Sequence, residues 1–482
     1  MHTPTPASNG QSVPQPDTPS MAELLRPHPS RRRLRLPLIC VAVFVLAFAV
    51  RVAMASAFVG LGAPPDANAN IDQVDFEIIA WHLAQGHGFT VDGSTPTARR
   101  ALGAPLIFAP VYLITGQRDF GILRLWIIAL SAATCVLTAL IARRLAPPRY
   151  ATLAAALAGL GLALYPGHAY YAMHMLSEPP FAACLALATY LSLLAWQHPA
   201  ARSRQTWILT AAAGTAWALL ILTKPQFILL LPLAAAALVT PPTVRWLRRR
   251  PVRLVQTPGP QLAFALLLTT LLVVPWGVRN HQQLGVTGLS SIVGLGLWGG
   301  NNELILDDPI WRGRWLRISE VERRLNQPLP DGEAAANREA KQRGLAFMRA
   351  HAAEMPALTL TKLQRLVTPF PRTTNTAARW SEALAWITLA PLTLLGLIHL
   401  LRHQRHTLAL PLLLAPVVVT VGTAAVFFGI VRYRNALAPT LLVLGALGLA
   451  SLLHALRSRY AKPNHTAYPL RTEEPLPTRR AA

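Results

Sequence analysis

Two aspartates open a short amphipathic segment, and their spacing suits acid–base chemistry. Asp72 and Asp75 precede Phe76, and the apolar residues from Phe76 to Leu83 share one face if residues 71–83 form a helix on the membrane surface. Carboxylates three residues apart lie close together on a helix, where their repulsion raises one pKa toward that of a general base. Because Asp is also favoured as a helix N-cap, a catalytic role and a capping role both stay open for Asp72.

Ionisable residues also stand beside prolines at the ends of apolar runs. Glu178 follows His174 by four residues and precedes Pro179, and Lys224 precedes Pro225. We expect Glu178, with His174, to orient substrate hydroxyl groups, and Lys224 to bind an anion. The ordinary alternatives are that Glu178 complements a helix dipole and that Lys224 snorkels toward water.

Arginine and amide side chains recur near three other apolar runs. They are Arg279 with Asn280, Asn301 with Asn302 after a glycine-rich stretch, and Arg432 with Arg434. Amides bind hydroxyl groups, so the asparagines are candidates for sugar recognition, although a glycine-rich stretch fits a tight structural loop equally well. Arginines at a membrane interface need an anionic partner, for which a lipid phosphate is the obvious choice.

The elements that position these residues are predicted to be membrane-spanning helices. Of the 482 residues, 52% are hydrophobic and only 14% are charged. The apolar residues gather in runs near the ~20 residues that cross a bilayer. We place about ten spans near 36–55, 122–142, 151–170, 179–196, 207–223, 227–240, 262–276, 384–401, 408–428 and 436–456. This pattern excludes a soluble multi-domain protein and predicts an all-α integral membrane fold.

The basic residues predict the orientation of these spans. The net charge is +24, and the arginines of the short loops at 143–149, 202–204, 245–253, 402–405 and 457–459 all fall on one side, which is expected to be cytoplasmic. The position of the basic residues in loops on one side of the membrane accounts for the positive net charge, so no nucleic-acid partner is expected. The other side receives two long segments, 56–121 and 277–381. We predict one domain, 31–456, between a disordered cytoplasmic tail, 1–30, and a basic cytoplasmic tail, 457–482.

The candidate residues occur in the order of a known set of motifs. Asp72, Phe76 and the Gly86-His87-Gly88-Phe89 end of the segment resemble the first-loop pattern of the GT-C superfamily of polyprenyl-phosphate-sugar glycosyltransferases. The pattern resembles especially the bacterial family 39-like members, which are related to protein O-mannosyltransferases and lipid A aminoarabinose transferases. Further matches are Ser177-Glu178-Pro179, Lys224-Pro225, Pro275-Trp276 with Arg279-Asn280, Gly300-Asn301-Asn302, Lys362 and Arg432-Tyr433-Arg434. The segment from Arg100 reads Arg-Ala-Leu-Gly-Ala-Pro where the family has Arg-Pro-Pro, so the role of Arg100 stays open, as does that of Arg51 in the first span.

The resemblance implies an inverting glycosyltransferase that moves a monosugar from a polyprenyl-phosphate carrier to an acceptor hydroxyl. Transfer is expected at the periplasmic face of a bacterial inner membrane, onto a lipid or a cell-envelope glycan or protein. The implied roles are catalysis for Asp72, Asp75 and Glu178, donor-phosphate binding for Lys224, Arg279, Arg432 and Arg434, and sugar or acceptor binding for His174, Asn280, Asn301 and Asn302. No clustered His/Cys ligand set is present in the sequence, so no metal is required by it.

Three other functions stay open at this point. A glycan ligase that uses a lipid diphosphate would present the same kinds of residue. A non-catalytic protein that binds polyprenyl phosphate would use the same arginines and would differ only at Asp72. A transporter should show broken midplane segments in two corresponding halves, and the sequence contains no such repeat.

Overall fold

The protein is almost entirely helical in the part of the chain that the structure, a computed structural model, describes. The described residues are 29–67, 70–196, 203–236, 259–373, 375–402 and 409–460. Residues 1–28 and 461–482, nearly all of the two predicted tails, lie outside them. The α-helices are α1 Pro29–Phe58, α2 Ile71–Ala84, α3 Gly103–Thr115, α4 Phe120–Leu145, α5 Ala151–Leu164, α6 Pro166–Ala172, α7 Glu178–Trp196, α8 Arg204–Thr223, α9 Gly259–Leu284, α10 Val293–Gly299, α11 Glu303–Asp307, α12 Ile318–Leu325, α13 Glu333–Ala350, α14 Met355–Val367, α15 Thr376–Arg402, α16 Ala409–Val426, α17 Val431–Ala436 and α18 Ala438–Tyr460.

Eight of the described helices are long and apolar enough to span a membrane, and α5 with α6 makes a ninth, bent candidate if the pair is counted as one span. These nine correspond to predicted spans, which confirms the all-α membrane fold. The predicted span at 227–240 matches a shorter apolar helix, Pro225–Ala236, and its last four residues lie outside the described part of the chain. Large apolar side chains of α15 face outward, with Leu384 62%, Ile387 55% and Leu394 58% exposed. Such a surface suits lipid contact.

The bend between α5 and α6 is supported by a buried arginine. The two helices meet at an angle of 57°, where Pro166 supplies no N–H to continue α5. Arg51 of α1 is fully buried and donates to the carbonyl oxygens of Leu162 and Ala163, at the end of α5, at 3.2 and 3.0 Å. The intramembrane charge of Arg51 therefore stabilises a broken helix.

Two long connections, 59–119 and 285–375, pack against each other beside the spans. The second contains its own apolar core, which includes Trp298, Phe347 and Leu358. Glu333 of α13 joins the two connections, since its carboxylate accepts from the Ala98 N–H at 2.9 Å and the Ser291 hydroxyl at 3.0 Å. The first connection contains α2 and α3, so α2 forms where the amphipathic segment predicted it.

The predicted end of the seventh span is wrong by about two helical turns. We placed it at residue 276, before Arg279 and Asn280, but α9 continues to Leu284. Pro275 lies inside the helix rather than at its end. The continuation contacts the first connection, because Arg279 donates to the Thr97 carbonyl oxygen at 2.6 Å.

Candidate active site

Asp72 lies in the first turn of α2 with its carboxylate held by two arginines. The N-cap of α2 is Asn70, whose side-chain oxygen accepts from the Asp72 N–H at 3.0 Å, so the capping alternative for Asp72 is wrong. Arg100 contacts one Asp72 oxygen at 2.8 Å and Arg432 contacts the other at 2.9 Å. The Asp72 side chain is 25% exposed, so a substrate can reach it.

Asp75 lies deeper and shares Arg100 with Asp72. Its Oδ2 accepts from Arg100 Nε at 2.9 Å and lies 2.7 Å from Arg100 Nη2 and 3.2 Å from Arg99 Nε. Burial by itself would raise the pKa of Asp72, but the charges of Arg432 and Arg100 outweigh it and hold that pKa below its usual value. The expectation that the paired aspartates raise one pKa toward that of a base does not hold for Asp72, because Arg100 lies between the two carboxylates.

Glu178 is buried at the start of α7 and is paired with two cations. Lys224, which directly follows α8, places Nζ 2.6 Å from Glu178 Oε1. Arg432 donates from Nε and Nη2 to the two Glu178 oxygens at 2.7 and 2.9 Å. Lys224 is only 8% exposed and also donates to the Ser177 hydroxyl at 3.3 Å, so it does not snorkel toward water.

Arg432 joins the two groups into one ion-pair cluster. We define this cluster as Asp72, Asp75, Glu178, Arg100, Lys224 and Arg432. Burial lowers the pKa of Arg432, but Glu178 and Asp72 together raise it well above its usual value, so Arg432 stays charged. The three carboxylates contact these three cations, and the half-exposed Arg99 also contacts Asp75 at 3.2 Å. The elements that supply the cluster are far apart in sequence.

The ion-pair cluster lies against a cavity of about 2590 Å³. Asp72, Glu178, Lys224 and Arg432 all line it. Apolar side chains from the segment after Lys224 and from α9 also line it, among them Ile228, Leu229, Leu231, Val273 and Val274. The cavity thus combines charged groups with an apolar surface, the combination that an amphiphilic ligand requires.

Two of the predicted phosphate-binding arginines are not part of the ion-pair cluster. Arg279 donates to the carbonyl oxygen of Thr97 at 2.6 Å and lies over the Trp276 ring, 4.9 Å from its centroid. Arg434 pairs with Glu382 at 2.8 Å and donates to the carbonyl oxygen of Thr368 at 2.7 Å. Neither arginine lines the cavity. Both fasten connecting segments to the spans.

The predicted amides are also engaged within the protein. Asn280 donates to the Gly288 carbonyl oxygen at 3.0 Å, and Asn302 donates to the Trp298 carbonyl oxygen at 2.7 Å. Asn301 accepts from Lys362 Nζ at 2.7 Å. None of the three lines the cavity, so the structure does not bring these amides to the ion-pair cluster.

His174 lies between α6 and α7 with its ring beside Tyr170, the two centroids 4.8 Å apart. Burial, with the nearby charges of Arg124 and Arg432, lowers the pKa of His174 to about 4, so its imidazole is neutral at pH 7. Its Nε2 is buried and has no hydrogen-bond partner among the described residues. His174 is not among the residues that line the cavity.

Sequence reasoning left Arg100 open and missed Glu382. The signal for Arg100 was its place after the first-loop pattern, where the family has Arg-Pro-Pro. The residues that follow Arg100 differ from that motif and made the match uncertain. Glu382 lines the cavity, is 4% exposed and has one oxygen without a partner among the described residues. An acidic residue at the start of an apolar run was the signal for Glu382. In the described ranges, no group of three His, Cys, Asp or Glu side chains could hold a metal ion.

Comparison with known proteins identifies the fold. The sequence model of a family described as dolichyl-phosphate-mannose-protein mannosyltransferase matches residues 99–278. The oligosaccharyltransferase of Archaeoglobus fulgidus in its apo form aligns with a TM-score of 0.52, and AglB from the same organism, in complex with an inhibitory peptide and a dolichol-phosphate, aligns with 0.50. Both are 14% identical over 89% of this chain and 53% of theirs.

A third solved structure is ArnT from Cupriavidus metallidurans bound to undecaprenyl phosphate, which is 15% identical over 89% of this chain and 80% of its own, with a TM-score of 0.36. No curated protein sequence matches the chain. The chain spans about half the length of the oligosaccharyltransferases. Residues 99–278 thus match the mannosyltransferase family model, and the described part of the chain shares the fold of the oligosaccharyltransferases.

Proposed function

We propose that the protein is an inverting glycosyltransferase that moves a monosugar from a polyprenyl-phosphate carrier to an acceptor hydroxyl. The observation that carries the proposal is the partly exposed Asp72 carboxylate, which is held between Arg100 and Arg432 at the wall of a large, partly apolar cavity. The apolar wall suits a polyprenyl chain, and the charged wall suits a sugar phosphate.

Asp72 acts as the base in this mechanism. The acceptor hydroxyl oxygen attacks the anomeric carbon, and its proton passes to the Asp72 carboxylate. The bond between the anomeric carbon and the phosphate oxygen breaks, and the lipid phosphate leaves with the electron pair. Attack on the face opposite the phosphate inverts the anomeric centre. Asp72 must be ionised to accept the proton, and its lowered pKa meets that condition at neutral pH.

Arg432 and Lys224 stabilise the departing phosphate. Both line the cavity and carry positive charge close to Asp72, so they can act on the charge that develops on the leaving oxygen. The phosphate and Asp72 then compete for the same guanidinium group. When Arg432 turns toward the phosphate, Asp72 loses part of the charge that lowers its pKa and becomes a stronger base. Donor binding therefore activates Asp72.

The remaining candidate residues have supporting roles in this proposal. Glu178 positions Arg432 and Lys224 through its three short contacts, and Asp75 positions Arg100. Arg279 and Arg434 hold connecting segments in place, and the amides at 280, 301 and 302 do the same. His174, which is neutral, remains a hydrogen-bonding candidate for a hydroxyl group.

We place the reaction at the periplasmic face of a bacterial inner membrane, with both chain termini in the cytoplasm. The basis is the excess of arginine in the short loops and the two long segments opposite them. The acceptor would be a lipid, a glycan or a protein of the cell envelope. The second candidate function is a glycan ligase with a lipid-diphosphate donor, which the fold shared with oligosaccharyltransferases favours.

Transfer of radiolabelled sugar from synthetic undecaprenyl-phosphate sugars to bacterial membranes tests the proposal. Purified wild-type protein should consume at least one donor, and Asp72→Asn should reduce transfer by several orders of magnitude while the variant stays folded. Asp92→Asn is the matched control, because Asp92 lies on an exposed turn where its carboxylate accepts from the Ser94 and Thr95 N–H groups. Wild-type turnover by Asp72→Asn would overturn the assignment, and consumption of a lipid diphosphate alone would favour the ligase.

A further inference from the structure

A second set of arginines lines the same cavity, away from any carboxylate partner. Arg314 follows α11, Arg365 lies in α14 and Arg372 lies between α14 and α15, and all three line the cavity. We call these three residues the arginine wall. In the described part of the chain none of them makes an ion pair. This contrasts with the ion-pair cluster, where each cation meets a carboxylate.

Arg314 is the residue whose charge is least satisfied. Its Nε is buried and has no hydrogen-bond partner among the described residues. Burial lowers the pKa of Arg314, and the like charges of Arg365 and Arg372 lower it further, so each of these two groups lies close enough to Arg314 to repel its charge. A partly buried charge that lacks a partner costs free energy, and a bound counter-ion would offset that cost.

The wall is fixed before any ligand binds. Arg365 donates from Nε to the Arg312 carbonyl oxygen at 3.3 Å and from Nη2 to the Pro309 carbonyl oxygen at 3.2 Å, which holds the segment that leads to Arg314. Arg372 lies over the Trp311 ring, 4.8 Å from its centroid. The arginines are therefore presented on a rigid surface, and little further ordering is needed to bind an anion.

Nearby carboxylates do not neutralise the wall. Glu320 and Glu322 also line the cavity. Glu320, however, pairs with Arg323 at 2.6 Å, and Glu322 accepts from the Leu329 N–H at 2.8 Å. Each of these two carboxylates thus has a partner outside the wall.

We propose that Arg314, Arg365 and Arg372 form a second phosphate-binding surface in the substrate cavity, separate from Lys224 and Arg432. Guanidinium groups recognise phosphate oxygens through paired N–H donors, and Trp315, which follows Arg314 and also lines the cavity, offers an aromatic surface to a sugar. The ligand is the phosphate of an amphiphilic substrate, either the donor lipid as it enters or a phosphorylated acceptor. The choice between these two sources rests on the proposed function, whereas phosphate binding itself does not.

Binding of two phosphate-bearing probes to protein in nanodiscs of a zwitterionic lipid tests the surface. The probes are undecaprenyl phosphate and an alkyl glucoside with one phosphate on the sugar, with the unphosphorylated glucoside for comparison. Each variant removes charge-assisted hydrogen bonds to the phosphate, so Arg314→Gln and Arg372→Gln should each weaken binding by about tenfold or more. Arg349→Gln should leave it unchanged, because Arg349 is exposed on α13 and does not line the cavity.

The outcomes separate the possibilities. Weaker binding of undecaprenyl phosphate to the variants identifies the donor as the source, and weaker binding of only the phosphorylated glucoside identifies an acceptor. Equal affinity of wild type and variants for both probes, no binding of either probe to wild type, or equal binding of the glucoside with and without phosphate would each overturn the proposal. Turnover is not needed for this measurement, so wild-type turnover by Asp72→Asn, which would overturn the proposed role of Asp72, would leave the binding result unaffected. Arg365 is left intact, because its backbone contacts hold the segment before Arg314.

Discussion

Substitution of Glu178 by Gln should destabilise the protein strongly, because Glu178 is the counter-ion of two buried cations. The Glu178 side chain is 2% exposed, Lys224 lies 2.6 Å away and Arg432 contacts it through two nitrogen atoms. After substitution Arg432 still contacts Asp72 at 2.9 Å. Among the described residues, Lys224 Nζ then keeps one hydrogen-bond partner, the Ser177 hydroxyl at 3.3 Å, and no carboxylate within contact distance. The uncompensated charge is therefore that of Lys224.

The expected loss in the free energy of unfolding is roughly 3–5 kcal/mol, the usual cost when one partner of a buried ion pair is removed. A double variant, Glu178→Gln with Lys224→Met, removes the stranded charge as well and should recover at least ~2 kcal/mol of the loss. Unfolding in mixed detergent micelles, followed by circular dichroism, measures both quantities. Both variants should be inactive, so only stability separates them.

Glu303→Gln is the matched control, because Glu303 is exposed at the start of α11 and does not line the cavity. The control should unfold with the wild type. The reasoning is refuted if Glu178→Gln unfolds within ~1 kcal/mol of the control, well below the loss expected from a broken buried pair, or if the double variant is no more stable than the single one.

Three further predictions follow from contacts elsewhere. Arg100→Gln removes a charge that lowers the pKa of Asp72, so the acid limb of the kcat/KM profile should move to higher pH, and an unchanged limb would argue against Asp72 as the base. Gly396→Ala should lower the thermal unfolding temperature, because a Cβ there would lie 1.8 Å from the Leu444 carbonyl oxygen between α15 and α18, and an unaltered temperature would contradict that packing. Burial lowers the pKa of Lys362 to about 8 from the usual lysine value of 10.5. Between these two pH values the unfolded chain binds more protons than the folded protein, so the free energy of unfolding should rise with pH. This rise should be present in the wild type and absent in Lys362→Met. Equal pH slopes in the two proteins would show that Lys362 is not buried in this way.

Local sequence was sufficient where a local property decides the outcome. The length and apolarity of runs such as 122–142 and 384–401 predicted spans, because a bilayer of fixed thickness imposes that length on any helix that crosses it. The amphipathic pattern from Asp72 to Leu83 predicted α2 for the same kind of reason. The position of Asp72 at the start of α2 could be read from the sequence as well.

Only the tertiary structure decided which charges meet. Arg432 lies 360 residues after Asp72 and 254 after Glu178, and no local pattern states that one guanidinium group contacts both carboxylates. The same holds for the direction of the Asp72 pKa, since that depends on whether the nearest charge is Asp75 or an arginine. Arg279 and Arg434 resemble phosphate-binding residues in type and spacing, yet packing directs them to backbone carbonyl oxygens. Residue type determined what chemistry each group could perform, and the distances set by helix packing determined which groups are placed to perform it.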